Sequence, residues 1–144
     1  MVSSLRAFIS LFITRRWLCG LGVLIWGIVL FTLSAQSALP PGPEIPHQDK
    51  VVHFLYFSSG AFCFTLAVYA GQIPMRPSWQ WTLTGLVFGL IVGAADEYHQ
   101  TFTPGRSGND AGDLLADLTG AAMGGWLAWT MLAWIRQRSA PSAE

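Results

Sequence analysis

Charged side chains are scarce in this sequence: they are 11% of its 144 residues, against about 25% in an ordinary soluble domain. So few charges cannot cover a water-facing surface, so much of the molecule must face something else. There is no net charge either, because eight Lys and Arg balance eight Asp and Glu. That removes the basic field needed for nucleic acid or a polybasic lipid contact. Cysteine is limited to Cys19 and Cys63, which lie in apolar runs at no metal or redox spacing and read as packing residues. H-E-x-x-H, the P-loop and G-x-S-x-G do not occur, so the common catalytic signatures are missing. The Asp, Glu and His residues match no standard metal spacing, and no metal or cofactor is expected.

Apolar length is what the chain has in abundance. Hydrophobic residues are 52% of it, with seven Trp and fifteen Gly; Trp gathers at membrane interfaces and Gly is commoner in membrane helices. Apolar segments run over 17–36, 51–72, 79–98 and 114–134, each near the roughly twenty residues that cross a bilayer core of about 30 Å. The connections are short, so neighbours should be antiparallel. Pro40, Pro41, Pro43 and Pro46 keep the first connection from being helical throughout. Pro74 and Pro77 mark a tight second turn, and Pro104, Gly105 and Gly108 the third. The expectation is an all-α membrane protein: a four-transmembrane-helix antiparallel bundle forming one domain over 1–144.

Basic residues orient it. Arg6, Arg15 and Arg16 precede the first span, Arg76 sits in the second connection, and Arg136 and Arg138 follow the last span. The positive-inside rule therefore predicts both termini cytoplasmic, with 1–16 a cytoplasmic segment and 136–144 a cytoplasmic tail, and only Lys50 and Arg106 outside. Trp17, Trp79, Trp81, Trp129 and Trp134 would then mark the inner interface. The start also has features of a cleavable signal peptide ending at Ala35-Gln36-Ser37, but its apolar run exceeds the roughly 7–15 residues usual there.

Every acidic residue except Glu144 falls in the outer part of this arrangement: Glu44, Asp49, Asp96, Glu97, Asp110, Asp113 and Asp117. A carboxylate at bilayer depth costs at least about 2.5–3.5 kcal/mol, so such residues face protein or a wet cavity and suggest a functional site. Helical spacing puts Gly85, Gly89, Gly93 and Glu97 on one face, with Gln100 a turn beyond. Asp113, Asp117, Gly120 and Gly124 share another, and Asp49, His53, Tyr56 and Gly60 a third. Small-residue stripes let membrane helices approach closely, so the glycines of the last two helices should meet in the inner half and the carboxylates in the outer half. His53, Glu97 and Asp113 are the candidate catalytic groups. Asp49, Lys50, Tyr56, Gln100, Arg106, Asp110 and Asp117 are the candidate ligand contacts, Arg106 either pairing with Asp110 or Asp113 or gripping a ligand's phosphate or carboxylate.

Plainer readings compete. Asp49 and Asp110 suit helix caps, Glu44 and His47 solvated loop positions, and His53 a satisfied core histidine. Glu97, Arg106, Asp113 and Asp117 suit a structural ion network. The glycines suit packing alone, and Tyr56, Tyr98 and Phe102 an interfacial belt. Asp96 and His99 project away from Glu97 and rank below it.

Three stretches resemble the VanZ-like family. Asp49-Lys50-Val51-Val52-His53-Phe54, with Tyr56, resembles its D-K-x-x-H-F signature. Glu97, Gln100, Phe102, Pro104, Gly105 and Arg106 resemble its E-x-x-Q-x-F-x-P-G-R stretch. Asp113, Asp117 and Gly120 resemble its D-x-x-x-N/D-x-x-G helix, with Asp117 where many relatives carry Asn. With Leu33-Ser34, the similarity covers about 33–125 in the right order. It implies a multi-pass protein of the bacterial cytoplasmic (inner) membrane, in a family named for resistance to the lipid-bearing glycopeptide teicoplanin, but it implies no agreed biochemical activity.

The leading expectation is a site that binds or processes a cell-envelope lipid head group or amphiphile on the periplasmic or exterior side. Its partners would be membrane lipids, a lipid-linked envelope precursor or a lipoglycopeptide, and no nucleic acid. An enzyme on a lipid-linked head group would use Glu97 or Asp113 as base, His53 as a second acid/base and Arg106 as anion clamp. A proton-coupled transporter subunit would need a homo-oligomer, and a structural partner of another membrane protein would need only lipid-facing contacts.

Overall fold

The computed structural model describes residues 15–37, 47–106, 108 and 110–139. Arg6, the prolines and Glu44 of the first connection, and the tail after Ser139 lie outside the described residues. The chain forms α1 (Arg16–Ser34), α2 (Gln48–Tyr69), α3 (Ser78–Gln100) and α4 (Ala111–Ser139). The described residues include no strand, and all four helices are long and apolar enough to cross a membrane.

The helices α2 and α4 begin about a turn before the apolar runs at Val51 and Leu114, and α4 outlasts Trp134 by more than a turn. The added turns are polar but helix-compatible. Asp49 and Asp113 occupy first turns, and Arg136 and Arg138 the last turn of α4, which complements the helix dipole at each end. Pro77 stands immediately before α3 in extended conformation, where its missing N–H is harmless. After α3 the chain reverses through Gly105 and Gly108, both at positive φ, a region glycine reaches without steric cost.

The helix α4 is central. Its Asp117, Ala121, Ala128 and Leu132 are fully enclosed between α2 and α3. The two glycine stripes do not meet face to face. A β-carbon on Gly85 or Gly89 would run into Ala121, and one on Gly93 into the Asp117 side chain, whereas Gly120 and Gly124 lie against the Phe54 and Ser58 carbonyls of α2. The reason is angular: one residue turns a helix by about 100°. Gly120 and Gly124 therefore present one small face to α2, while their neighbours Ala121 and Gly125 present another to α3.

The helix α1 packs on the outside of α2 and α3. Gly60 leaves a notch that the Trp26 ring fills. Trp26 stacks on Tyr56 with centroids 5.0 Å apart. Its Nε1 donates to the Tyr56 carbonyl at 3.0 Å, and the Tyr56 hydroxyl donates to the Trp26 carbonyl at 2.7 Å.

The outer face is apolar. Leu24, Ile28 and Ile91 are 60%, 58% and 65% exposed, a surface that water would not tolerate and hydrocarbon does. Trp17, Trp79 and Trp134 are exposed as interface residues should be, but Trp81 is wholly buried, which corrects its assignment to the interface. Two residues from Trp79 is about 200° around the helix, and Trp81 packs on Leu66, Ala128 and Leu132 instead.

Candidate functional site

Polar side chains gather where α1 and α3 end and α2 and α4 begin. Lys50, in the first turn of α2, organises one half. Its Nζ lies 3.0 Å from Asp49, 2.9 Å from Asp110 and 2.7 Å from Asp113; it donates hydrogen bonds to the last two and pairs with the first by charge. Gly112 leaves the room, since a β-carbon there would press on the Lys50 stem. Asp110 also caps α4, accepting from the N–H groups of Gly112 at 2.7 Å and Asp113 at 3.2 Å. The Lys50 ammonium, helped by those N–H groups, holds the Asp110 carboxyl below the usual carboxylate range. Asp49 is not a cap; His47 stands at that position, in left-handed conformation and exposed.

Glu97 reaches across from α3. Its Oε2 accepts from the Asp110 backbone N–H at 2.6 Å, while Oε1 is enclosed without a partner among the described residues. His53, one turn after Lys50, joins this half to the next. Its Nδ1 is 2.9 Å from Oδ1 of Asp117, which is completely buried. Its Nε2 is 3.8 Å from Asp113, too far for a hydrogen bond. A buried carboxylate on Nδ1 orients the ring and leaves Nε2 as the exchangeable nitrogen. Asp117 Oδ2 has no hydrogen-bond partner among the described residues.

The other half lies between α1 and α3. Asp96 is 6% exposed and accepts from the Ser34 hydroxyl in a short contact and from Gln100 Nε2 at 2.8 Å. Thr103 donates to the Ser34 carbonyl at 3.2 Å. Together these bonds tie the end of α1 to the end of α3. Asp96 is thus more deeply committed than its ranking below Glu97 suggested. The available signal was its four-residue spacing from Gln100, which puts both on one face. Ser34 was legible as a polar residue ending an apolar run and as part of the Leu33-Ser34 resemblance, and Thr103 carried no signal. His99 stacks on Phe31 with centroids 4.3 Å apart.

Between α1, α2 and α3 lies a cavity of about 70 Å³. Ser34, His53, Asp96, Gln100 and Arg106 supply its polar wall; Leu30, Leu33, Val52, Tyr56 and Phe57 supply the rest. A neighbouring recess of about 180 Å³ between α1 and α3 also touches Asp96. Arg106 does not pair with Asp110 or Asp113, because Lys50 holds both. Among the described residues it makes no ion pair, and its Nε is enclosed and unpartnered.

Of the sequence candidates, Asp49, Lys50, His53, Asp110, Asp113 and Asp117 form one connected set. Glu97 joins it through the Asp110 backbone, while Tyr56, Gln100 and Arg106 border the cavity. Among the described residues no three His, Cys, Asp or Glu side chains assemble as metal ligands. The site therefore offers an anchored imidazole, an unpaired guanidinium and a small amphiphilic cavity, which suits it to grip an anion and exchange a proton beside it.

A family model described as VanZ/LLP1 matches residues 10–134. No curated protein and no solved structure matches the chain.

Proposed function

The chain belongs to the VanZ/LLP1 family, and from that premise we propose that this membrane protein binds the head group of a cell-envelope amphiphile at its carboxylate-rich end. The carrying observation is the cavity, which sets Arg106 and His53 beside apolar side chains at the end of three membrane-length helices. A polar head with an attached hydrocarbon tail is the ligand chemistry that such a mixed wall complements.

The proposal includes the orientation. Arg15, Arg16, Arg76, Arg136 and Arg138 lie at the end opposite Lys50 and Arg106, and the positive-inside rule puts the arginine-rich end in the bacterial cytoplasm. Both termini are then cytoplasmic and the cavity faces the periplasm or exterior. Altered response to a lipid-bearing glycopeptide such as teicoplanin is the phenotype proposed for an amphiphile site placed there.

Two measurements test this reading. Single cysteines at Thr101 and Gln137, in a chain with Cys19 and Cys63 replaced, should label with an impermeant maleimide on intact cells at Thr101 only; the reverse pattern refutes the orientation. Glu97→Gln, Arg106→Gln and Asp113→Asn should lose the envelope phenotype while inserting at wild-type levels. Variants that instead fail to accumulate would favour a purely structural network.

A second reading is favoured by the His53–Asp117 contact: acid–base processing of the bound head group, with His53 Nε2 as the proton-exchanging atom. Conversion of labelled lipid precursors by purified protein, lost in His53→Gln, is its test.

A further inference from the structure

Size and charge narrow what the cavity accepts. At about 70 Å³ the cavity is small, though above the roughly 10–15 Å³ that admits a single water. Sites that enclose a whole small molecule are about 300 Å³ or more. A sugar, a peptide or a glycopeptide does not fit; one small polar group does.

The charged groups on the wall are Asp96, Arg106 and His53. Asp96 already accepts from Ser34 and Gln100. His53 has spent Nδ1 on Asp117 and keeps Nε2. Arg106 keeps its donors, with Nε closed off and unpartnered. What the wall has left to offer is hydrogen-bond donation. Its formal charge is zero with His53 neutral and plus one with His53 protonated. One negative charge is therefore the most the wall neutralises, and a phosphomonoester or pyrophosphate would bring excess anion beside Asp96, with Asp113 and Asp117 behind His53. Leu33 and Val52 border the cavity at 39% and 49% exposure, so a hydrocarbon tail can leave past them directly into the bilayer.

Resting on the reading that the cavity takes a head group at all, we propose that the group is the phosphodiester of a membrane lipid. Its two non-bridging oxygens meet the planar fork of Arg106, the geometry in which arginine recognises phosphate. Its chains pass Leu33 and Val52, and any larger substituent stays outside the cavity.

The test is native mass spectrometry of the full chain, stripped of lipid in mild detergent and titrated with defined lipids. Phosphatidylglycerol should saturate at one per chain and outcompete diacylglycerol, palmitate and phosphatidic acid on the wild-type protein, a comparison that needs no variant. Arg106→Gln should weaken it about ten-fold and Arg106→Lys, which keeps charge without the fork, about three-fold. Val52→Trp, which blocks the mouth, should weaken it comparably, and Arg76→Gln at the far end should leave it unchanged. Equal uptake of diacylglycerol, palmitate or phosphatidic acid overturns the phosphodiester assignment and leaves head-group binding standing. Phosphatidylglycerol binding that ignores both Arg106→Gln and Val52→Trp in monodisperse protein places the lipid outside the cavity and overturns the head-group reading together with the phosphodiester assignment. Binding of none of these lipids refutes the head-group reading itself.

Discussion

At the end of the bundle where α2 hands over to α3, Arg136 donates to the carbonyls of Ala70 at 2.9 Å and Gln72 at 3.1 Å, and Trp129 donates to the carbonyl of Arg76 at 3.1 Å. These side chains satisfy the carbonyl of the α2 C-cap, Ala70, and two carbonyls of the connection, none of which has an intrahelical donor. At the other end Lys50 is shared by three carboxylates, yet among the described residues Arg106 Nε, Glu97 Oε1 and Asp117 Oδ2 are enclosed without partners. Both ends carry charge into the interfacial region, but among the described residues the first leaves over one neutral donor, Trp81 Nε1, whereas the second leaves over a guanidinium nitrogen and two carboxylate oxygens. Unsatisfied buried groups are costly in a finished fold, so the gathering of unpartnered charged groups at the end that also holds the cavity separates a site from a seal.

The widest test of that contrast is Lys50→Met, which keeps the stem and removes the cation that three carboxylates share. Asp113 is 14% exposed and Asp110 43%, so the loss should fall between the surface and buried extremes, at about 2 kcal/mol. It would be read as a lowered thermal midpoint in detergent. An unchanged midpoint would mean that the clamp contributes nothing. Arg136→Ala should cost somewhat less, about 1–2 kcal/mol, because it strips donors from carbonyls at a partly wetted end. A larger loss there than for Lys50→Met would reverse the comparison. Glu97→Gln should cost less than about 1 kcal/mol, since the amide oxygen still accepts from the Asp110 N–H, while the envelope phenotype disappears. A midpoint that falls together with the phenotype would return Glu97 to the structural side.

The smallest effect is on acid response. The folded carboxyl of Asp110 sits below its ordinary value, so its contribution is complete above the unfolded value near about pH 4 and is lost as pH falls through the folded value. Asp110→Asn keeps the cap and should flatten the fall in thermal midpoint between about pH 5 and 3. An identical fall in the variant would show that Asp110 carries none of it.

Several features were legible before any coordinates. Apolar length marked four spans, charge scarcity marked the surroundings, and four-residue spacing placed Asp113 with Asp117 and Asp49 with His53. These are one-helix properties: period and hydropathy determine which residues share a face and at what depth along the axis. Partner choice is not such a property. Only packing showed that Lys50 rather than Arg106 holds Asp110 and Asp113, and that Asp96 turns toward Ser34. Only packing showed that the small residues of α4 divide between α2 and α3. Each depends on how far a helix is rotated about its own axis, and that rotation is decided by the backbone approach its smallest residues permit. The cavity beside Arg106 follows from three such rotations together, so it belongs to the tertiary structure, whereas the charges that surround it were already written in the chain.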